Sequence, residues 1–206
     1  MNVDITLPDG SVRNYESPVT GYQIAESIGP RLLKDAICVE IDNKFQDLSY
    51  EISESINIRI VTTKDLDALH ILRHSSAHIL AQAVLNLYPN AQFGVGPSIE
   101  NGFYYDFLFE TPIKENELEN IEKEMKSIAK SAQSFIRSEI TKKDAVKIFR
   151  NQKLKLELIE SAESDEGVGE EIVSTYANDE FIDLCMGPHV PSTSVLKHFK
   201  LTKVSG

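Results

Sequence analysis

The 206-residue sequence has little of what secreted and membrane proteins need. It contains two cysteines, Cys38 and Cys185, which are too few for a disulfide framework and favour a reducing compartment. No apolar run approaches the roughly 18 residues that a membrane span requires. The first residues also lack the basic and apolar segments of a secretory signal. We therefore expect a cytoplasmic protein without a membrane partner.

Positive charge is also scarce. The chain carries 21 lysines and arginines against 32 aspartates and glutamates, which gives a net charge of −11. Tight binding to nucleic acid without regard to sequence depends on neutralising phosphates with basic side chains. The acidic balance therefore argues against such binding by this chain alone. The hydrophobic content of 41% is enough for a packed core.

The first segment, which extends to about residue 62, is predicted to be a small strand-rich module. Alternating apolar residues flank the turn Pro8-Asp9-Gly10, and this pattern indicates a β-hairpin. Residues 20–28 have the spacing of a short helix that ends at Gly29-Pro30. Residues 38–42 and 56–61 alternate as strands.

The second segment begins near residues 62–65, where Thr62 and Asp65 have capping-box spacing, and it opens with a helix that stops at Pro89-Asn90. Apolar residues lie on two sides of this helix, as is typical of a helix buried in a core. The sequence then predicts short strands with glycine bends, helices over 114–132 and 142–151, strands over 135–140 and 172–176, and a solvated acidic loop over 160–171. The predicted fold class is α+β, with the long helix against an antiparallel sheet.

Two short motifs, far apart in sequence, carry most of the chemistry. His74-Ser-Ser-Ala-His78 puts two imidazoles on one helix face, about one turn apart. Cys185-Met-Gly-Pro-His189 pairs a thiol with an imidazole around a Gly-Pro turn. If the fold brings the two motifs together, their four groups form a cluster that can bind zinc or activate water.

Each motif also has a plainer interpretation. A helical histidine can be a hydrogen-bonded core residue, and Cys185 can be a buried thiol beside a surface histidine. No glutamate follows His74 as in a zinc-protease helix, so that class is disfavoured. The glycines of residues 94–102 lack the context of a phosphate-binding loop and are predicted to be bends or points of close approach. Of Tyr104 and Tyr105, one is expected to face a pocket while the other packs.

The motifs resemble those of a known family. The opening Ile5-Thr-Leu-Pro-Asp-Gly-Ser resembles the ubiquitin-like TGS module of bacterial-type threonyl-tRNA synthetases. Residues 73–78, 96–106 and 183–191 resemble the editing domain of the same family. The resemblance covers essentially the whole chain and implies a β-grasp TGS domain at 1–62 and an editing domain at 63–206. The HxxxH and CxxxH pair is also similar to that of alanyl-tRNA editing domains, but the TGS-like start and the Cys-x-Gly-Pro-His form favour the threonyl branch.

The resemblance implies that the chain removes misattached serine from tRNA(Thr). Serine is threonine without one methyl group, and a difference of that size gives roughly 1–3 kcal/mol of discrimination, so a second, hydrolytic site is needed. The implied partner is the 3′ end of tRNA(Thr) bearing a seryl ester. We expect the chain to be a monomeric fragment of a longer protein that attaches threonine with ATP. The absent catalytic domain would hold Zn²⁺ and ATP-Mg²⁺ and would form a homodimer.

The resemblance also assigns roles to residues. His74 is the candidate base or water-positioning group, and Lys155 corresponds to a lysine that the family places at the scissile ester, although the sequence alone favours an ordinary exposed lysine there. Asp183 is expected to orient a histidine or to bind the substrate amine. Gly96 and Tyr105 match pocket-lining positions. The candidate catalytic set is His74, His78, Lys155, Asp183, Cys185 and His189.

No metal is favoured for this site, and two other functions stay open. His74, His78, Cys185 and His189 are candidate zinc ligands, but together they would fill all four tetrahedral positions and leave none for water. One alternative function is a zinc-dependent trans-editing hydrolase of the alanyl type, which would act on Ser-tRNA(Ala). The other is a non-catalytic tRNA-binding module whose cluster is a structural metal site.

Overall fold

The computed structural model describes residues 1–161 and 172–205. Within these residues the chain forms two compact units, the first made of 1–71 with 187–191 and the second of the described residues of 72–186 with 192–205. Beyond Ser161, the predicted acidic loop at 160–171 lies outside the described residues. In the described part of the chain, no helix is long and apolar enough to cross a membrane.

The first unit combines strands with short helices. In chain order its elements are β1 (Asn2–Thr6), β2 (Val12–Glu16), β3 (Val19–Thr20), α1 (Gly21–Ile28), α2 (Pro30–Asp35), β4 (Ala36–Ile41), β5 (Lys44–Asp47), β6 (Glu51–Ile52) and β7 (Ile56–Thr62).

The main sheet of the first unit has the strand order β2-β1-β7-β4-β5. β1 and β2 form the predicted antiparallel hairpin, with Val3 opposite Tyr15. β1 pairs with β7 in parallel, and the other neighbours in this sheet are antiparallel. Alternate strand residues point to the same face, where Val3, Ile5 and Ile58 pack with Ile24 of α1.

The second unit begins within a long helix. In chain order the elements after β7 are α3 (Ala68–Leu87), β8 (Gln92–Phe93), β9 (Ser98–Ile99), β10 (Gly102–Phe103), β11 (Phe107–Leu108), α4 (Leu118–Lys130), β12 (Ile136–Thr141), α5 (Lys142–Ile148), α6 (Lys153–Glu160), β13 (Ile172–Asn178) and β14 (Phe181–Leu184), with 3₁₀ turns at Glu115–Glu117 and Thr193–Val195.

α3 is the long core helix that the sequence predicts. Residues 75–84 in its middle are all buried, while Leu69 and Leu87 near its ends are exposed. The helix starts at Ala68, later than predicted. The Asp65 carboxylate instead turns back and accepts hydrogen bonds from the Thr62 N–H (2.7 Å) and hydroxyl (2.8 Å), which closes a separate turn before the helix.

An antiparallel sheet in the order β12-β13-β14 carries one of the site motifs. Tyr176 of β13 lies opposite Asp183 of β14. β13 is the central strand and is mostly buried, whereas β12 is an exposed edge. Cys185 follows directly after β14, so this sheet sets the position of both Asp183 and Cys185.

The predicted α+β class, with a long core helix and an antiparallel sheet, is confirmed. Two helices were not predicted. α2 begins at Pro30, which the sequence analysis treats only as a helix stop, although proline is also well suited to the first helical position. α6 covers a Lys-Leu-Lys-Leu run that alternates with the period of a strand but forms a helix. The predicted helix over 142–151 ends earlier, at Ile148.

Glu122 ties the C-terminal segment of the second unit to α4. Its side chain is 7% exposed and pairs with Lys126 (2.7 Å) and Lys200 (3.1 Å). It also accepts the Leu201 N–H at 3.2 Å. The Lys126 hydrogen bond, followed by the bonds from Leu201 and Lys200, lowers the pKa of Glu122 from 4.5 to about 2.

We predict that Glu122→Gln lowers the free energy of unfolding by about 1–3 kcal/mol at pH 7. Because the pKa is depressed in the folded state, the stabilisation is present above pH 4.5 and is lost as the pH falls from 4.5 to about 2. The difference between wild type and variant in chemical denaturation should shrink over that range. Glu119→Gln is the control, because this side chain is 75% exposed and its pair with Lys123 should contribute less than about 0.5 kcal/mol. An equal loss in the control would contradict the prediction.

Candidate functional site

α3 positions the two histidines of the first motif. Because they lie four residues apart on the helix, the His74 and His78 rings meet edge to face with centroids 5.1 Å apart. His78 is 2% exposed, whereas His74 is only partly buried. His74 is therefore the member of the pair that solvent or a ligand can reach.

The second motif meets the first through Cys185. The Sγ atom of Cys185 lies 2.9 Å from His74 Nε2, although the two residues are 111 positions apart in sequence. The Cys185 backbone is held on both sides by Ser174 of β13. Its N–H donates to the Ser174 carbonyl (3.1 Å), and its carbonyl accepts the Ser174 hydroxyl (2.6 Å). The extension of β14 thus fixes the thiol beside His74.

The described residues contain one group of side chains that could hold a metal, and it consists of His74, His78, Cys185 and His189. One ligand atom from each lies within 4.8 Å of the others. His189 belongs to the segment 187–191 that clusters with the first unit, where its N–H donates to Asp47 Oδ1 at 2.9 Å.

The ligand chemistry of this group fits zinc. Imidazole nitrogens and a thiolate are common zinc ligands, and metal–ligand lengths of about 2.0–2.3 Å put neighbouring ligand atoms ~3.3–3.7 Å apart in a tetrahedral site. The His74–Cys185 contact of 2.9 Å is somewhat shorter than that, and the 4.8 Å limit is longer.

A buried ion pair lies beside the histidines. Lys155 of α6 is 0% exposed, and its Nζ lies 2.5 Å from Asp183 Oδ1. The same ammonium donates to the Gly94 carbonyl (2.5 Å) and to the Tyr105 hydroxyl (3.2 Å). The preference of the sequence alone for an ordinary exposed lysine is therefore wrong. Lys155 thus has three protein partners, two through hydrogen bonds and Asp183 through the ion pair.

Tyr105 is a second partner of Asp183. Its hydroxyl lies 2.5 Å from Asp183 Oδ2, and the residue is 8% exposed, whereas the neighbouring Tyr104 is 43% exposed. One tyrosine thus packs and the other is exposed, but both lie between β10 and β11 and not on a strand, so strand alternation is not the cause. The Tyr105 ring also lies against Gly96, and a Cβ on Gly96 would overlap that ring. The position of the Tyr105 ring therefore depends on a glycine at residue 96.

His78 is held neutral in this environment. Burial, followed by the charges of His74 and Lys155, lowers the pKa of His78 well below 6.5. Its Nε2 lies 3.7 Å from Asp183 Oδ2, which is longer than a hydrogen bond. His78 is therefore a neutral polar group between the thiol–imidazole pair and the ion pair.

The sequence did not reveal two contributors to this site, one a backbone carbonyl and the other a side-chain hydroxyl. The Gly94 carbonyl accepts from Lys155, and the Ser174 hydroxyl holds Cys185. The glycine run at residues 94–96 was a signal for the first, since the sequence analysis interprets it as a point of close backbone approach. Nothing in the sequence marks Ser174, because its partner is a carbonyl on another strand.

Comparison with known proteins gives two domain matches and a set of similar ligases. Residues 3–62 match the TGS domain, and residues 173–206 match the threonyl and alanyl tRNA synthetase second additional domain. Threonine–tRNA ligases of Francisella philomiragia, Ralstonia nicotianae and Burkholderia multivorans are 47%, 47% and 49% identical over 206, 206 and 207 residues. Over nearly its whole length the chain is thus similar to the N-terminal region of threonine–tRNA ligases.

The match covers nearly all of this chain and a minority of each relative. It includes 99% of the chain, but the chain spans only 32% of the length of these ligases. The match to the second additional domain contains Asp183, Cys185 and His189. The first histidine motif and Lys155 lie outside that match but inside the span aligned with the ligases.

We predict that Gly96→Ala lowers the free energy of unfolding by about 1–3 kcal/mol, because the new methyl group must displace the Tyr105 ring and its bond to Asp183. Gly94→Ala is a matched control two residues away. There the new Cβ would meet its nearest neighbours at an ordinary 3.6 Å, so the cost should stay below about 0.5 kcal/mol. Chemical denaturation followed by circular dichroism measures both. Equal stability of the two variants would show that Tyr105 is not held against Gly96.

Proposed function

We propose that this chain is the editing part of a threonine–tRNA ligase and hydrolyses serine from mischarged tRNA(Thr). The observation that supports this most is the His74–Cys185 contact, in which a partly exposed imidazole lies at the edge of a buried polar cluster. The other groups of the cluster are almost fully buried. His74 is thus the group best situated to meet a substrate and a water molecule.

The proposed reaction is the hydrolysis of an ester. His74 takes a proton from water while the water oxygen attacks the seryl carbonyl carbon. When the tetrahedral intermediate collapses, the bond between the carbonyl carbon and the ribose oxygen breaks. The ribose oxygen takes the proton from His74, which returns to its neutral form. Free serine and tRNA with a free terminal hydroxyl are released.

The buried residues are proposed to support this chemistry indirectly, without contacting the ester. Neutral His78 adds no positive charge next to His74, the proposed base. We propose that Lys155 acts by holding Asp183 and the Gly94 carbonyl rather than by touching the ester, because it is fully buried and already has three protein partners. Asp183 in turn accepts the Tyr105 hydroxyl and so helps to hold that ring against Gly96, the other candidate pocket-lining residue.

The wider assignment follows from the family. Under this proposal residues 1–62 are the TGS domain, residues 63–206 are the editing domain, and the partner is the 3′ end of tRNA(Thr). The complete ligase would attach threonine to tRNA(Thr) with ATP in a domain beyond this sequence. Its dimerisation, its ATP-Mg²⁺ site and its own zinc would belong to that domain. A cytoplasmic location fits the cysteine content and this role.

We predict that the chain hydrolyses Ser-tRNA(Thr) and largely spares Thr-tRNA(Thr), and that His74→Ala reduces kcat/KM about 10²–10⁴-fold because it removes the general base. His70→Ala is the matched control. This histidine lies one turn earlier on α3 and is exposed, so its removal should change the rate less than about twofold. The measurement is deacylation of both esters under single-turnover conditions.

Three outcomes would count against these assignments. Equal hydrolysis of the two esters would refute the selectivity, and a fully active His74→Ala variant would refute the role of the base. Preferential hydrolysis of Ser-tRNA(Ala) would instead identify a trans-editing enzyme of the alanyl type.

A metal site is the second candidate function, and the four-residue group that could hold a metal is the observation in its favour. Bound zinc would supply a Lewis acid at the cluster. A zinc with all four protein ligands would be closed and structural, since hydrolysis needs a free position for water. If the cluster were a closed zinc site, or if the chain were a non-catalytic tRNA-binding module, the chain would have no deacylase activity.

We predict that deacylation of Ser-tRNA(Thr) persists after the chain has been stripped of metal with a chelator. The reason is that His74 serves as the base in the proposed reaction and cannot also be a zinc ligand. Elemental analysis of the purified chain, with the assay before and after chelation, is the measurement. Stoichiometric zinc, together with activity that is lost on chelation and restored by zinc, would overturn the prediction.

A further inference from the structure

One stretch of the second unit is positively charged, although the chain as a whole is negative. Residues 142–153 contain five basic residues and one acidic residue, for a net charge of +4. The remainder of the chain therefore carries −15. Such a local excess of positive charge in an acidic protein indicates a surface for an anionic partner.

The positive charges of this stretch point to solvent. On α5 and the turn after it, Lys143, Lys147 and Arg150 follow one another at i, i+4 and i+7, and all three are exposed. Ala145 and Phe149 form the opposite, inward side, and they are 0% and 2% exposed. The helix is thus held by its apolar side and presents a basic side, which we call the basic face (Lys143, Lys147 and Arg150).

Neighbouring carboxylates neutralise little of this charge. Lys147 pairs with Asp144 at 2.7 Å, and both side chains are more than half exposed, so the pair is weak. Within residues 1–161 and 172–205, Lys143 and Arg150 have no ion pair. The basic face therefore keeps charge that is available to a partner.

Hydrogen bonds join the end of the basic face to the candidate site. The turn between α5 and α6 is bound to β8, because Gln92 donates to the Asn151 carbonyl (3.0 Å) and accepts the Lys153 N–H (2.6 Å). The Phe93 N–H donates to the Gln152 side chain at 3.2 Å. Gly94, the next residue after β8, holds buried Lys155. A partner on the basic face is thus next to the segment that builds the site.

We propose that the basic face binds the phosphate backbone of tRNA close to its 3′ end, without reading sequence. The identity of the RNA rests on the proposed function. Lysine and arginine side chains that neutralise phosphates release counterions, and this release gives affinity that falls steeply with salt. The basic face supplies three such side chains on one helical surface, and this surface adjoins the site where the ester must be bound.

The test compares two triple variants of the whole chain. Lys143→Ala, Lys147→Ala and Arg150→Ala together remove the basic face, and Lys114→Ala, Lys123→Ala and Lys130→Ala together remove the same charge from exposed positions around α4. The probe is a fluorescently labelled, uncharged tRNA(Thr) transcript, with anisotropy measured between 20 and 200 mM salt. The first triple should raise Kd at 20 mM salt more than about tenfold and lower the salt slope by about 2–3, whereas the control should change Kd less than about twofold.

The possible outcomes separate this proposal from the proposed function. Equal effects of the two triples, or no measurable binding of wild type at 20 mM salt, would overturn the basic face as a binding surface. A short seryl-CCA ester, which lacks the duplex, should be hydrolysed at the same rate by wild type and by the basic-face triple. If wild type hydrolyses neither this ester nor Ser-tRNA(Thr), the proposed function fails, while the binding comparison still decides the role of the basic face.

Discussion

The buried ion pair between Lys155 and Asp183 is the constraint on which the candidate site depends. The two side chains are 0% and 1% exposed. Transfer of charges from water to a protein interior costs several kcal/mol for each ion, so a pair of this kind persists only where hydrogen bonds complete its coordination. Here the Tyr105 hydroxyl donates to Asp183 Oδ2, and the Gly94 carbonyl accepts from Lys155. Each of these contacts imposes a further requirement, because the position of Tyr105 leaves room only for glycine at residue 96.

The ion pair also determines which side chains of the cluster can do chemistry. Its ammonium contributes, after burial and His74, to the lowered pKa of His78, which therefore stays neutral. Cys185 is held at the backbone by Ser174 and directs its thiol to His74. The buried groups are thus held in place by their partners, and His74 remains as the partly exposed group. Under the proposed function, such a site positions one base beside fixed polar groups, as hydrolysis of an ester requires.

Much of the fold could be predicted from local pattern, because hairpins, caps and buried helices each have a periodic signature. The hairpin β1–β2, the helix α1 and the long helix α3 were found in this way. The i, i+4 spacing also sufficed to put His74 and His78 on one face. Lys155 could not be found from pattern, since a buried lysine differs from an exposed one only through its partners in other elements, and its alternating neighbours resembled a strand. Ser174 and the pairing of Glu122 with Lys200 could not be predicted either, because they too depend on partners in other parts of the chain.

The net charge of −11 and a role at tRNA are compatible, because electrostatic attraction in salt is local. At physiological ionic strength the Debye length is about 8 Å, so exposed charges on distant parts of the chain are largely screened from a phosphate at the basic face. What such a phosphate experiences is the +4 of residues 142–153, not the −15 of the rest. The acidic remainder would then repel RNA from other surfaces. Under the proposal for the basic face, the uneven distribution of charge gives orientation as well as affinity, and brings the ester toward His74.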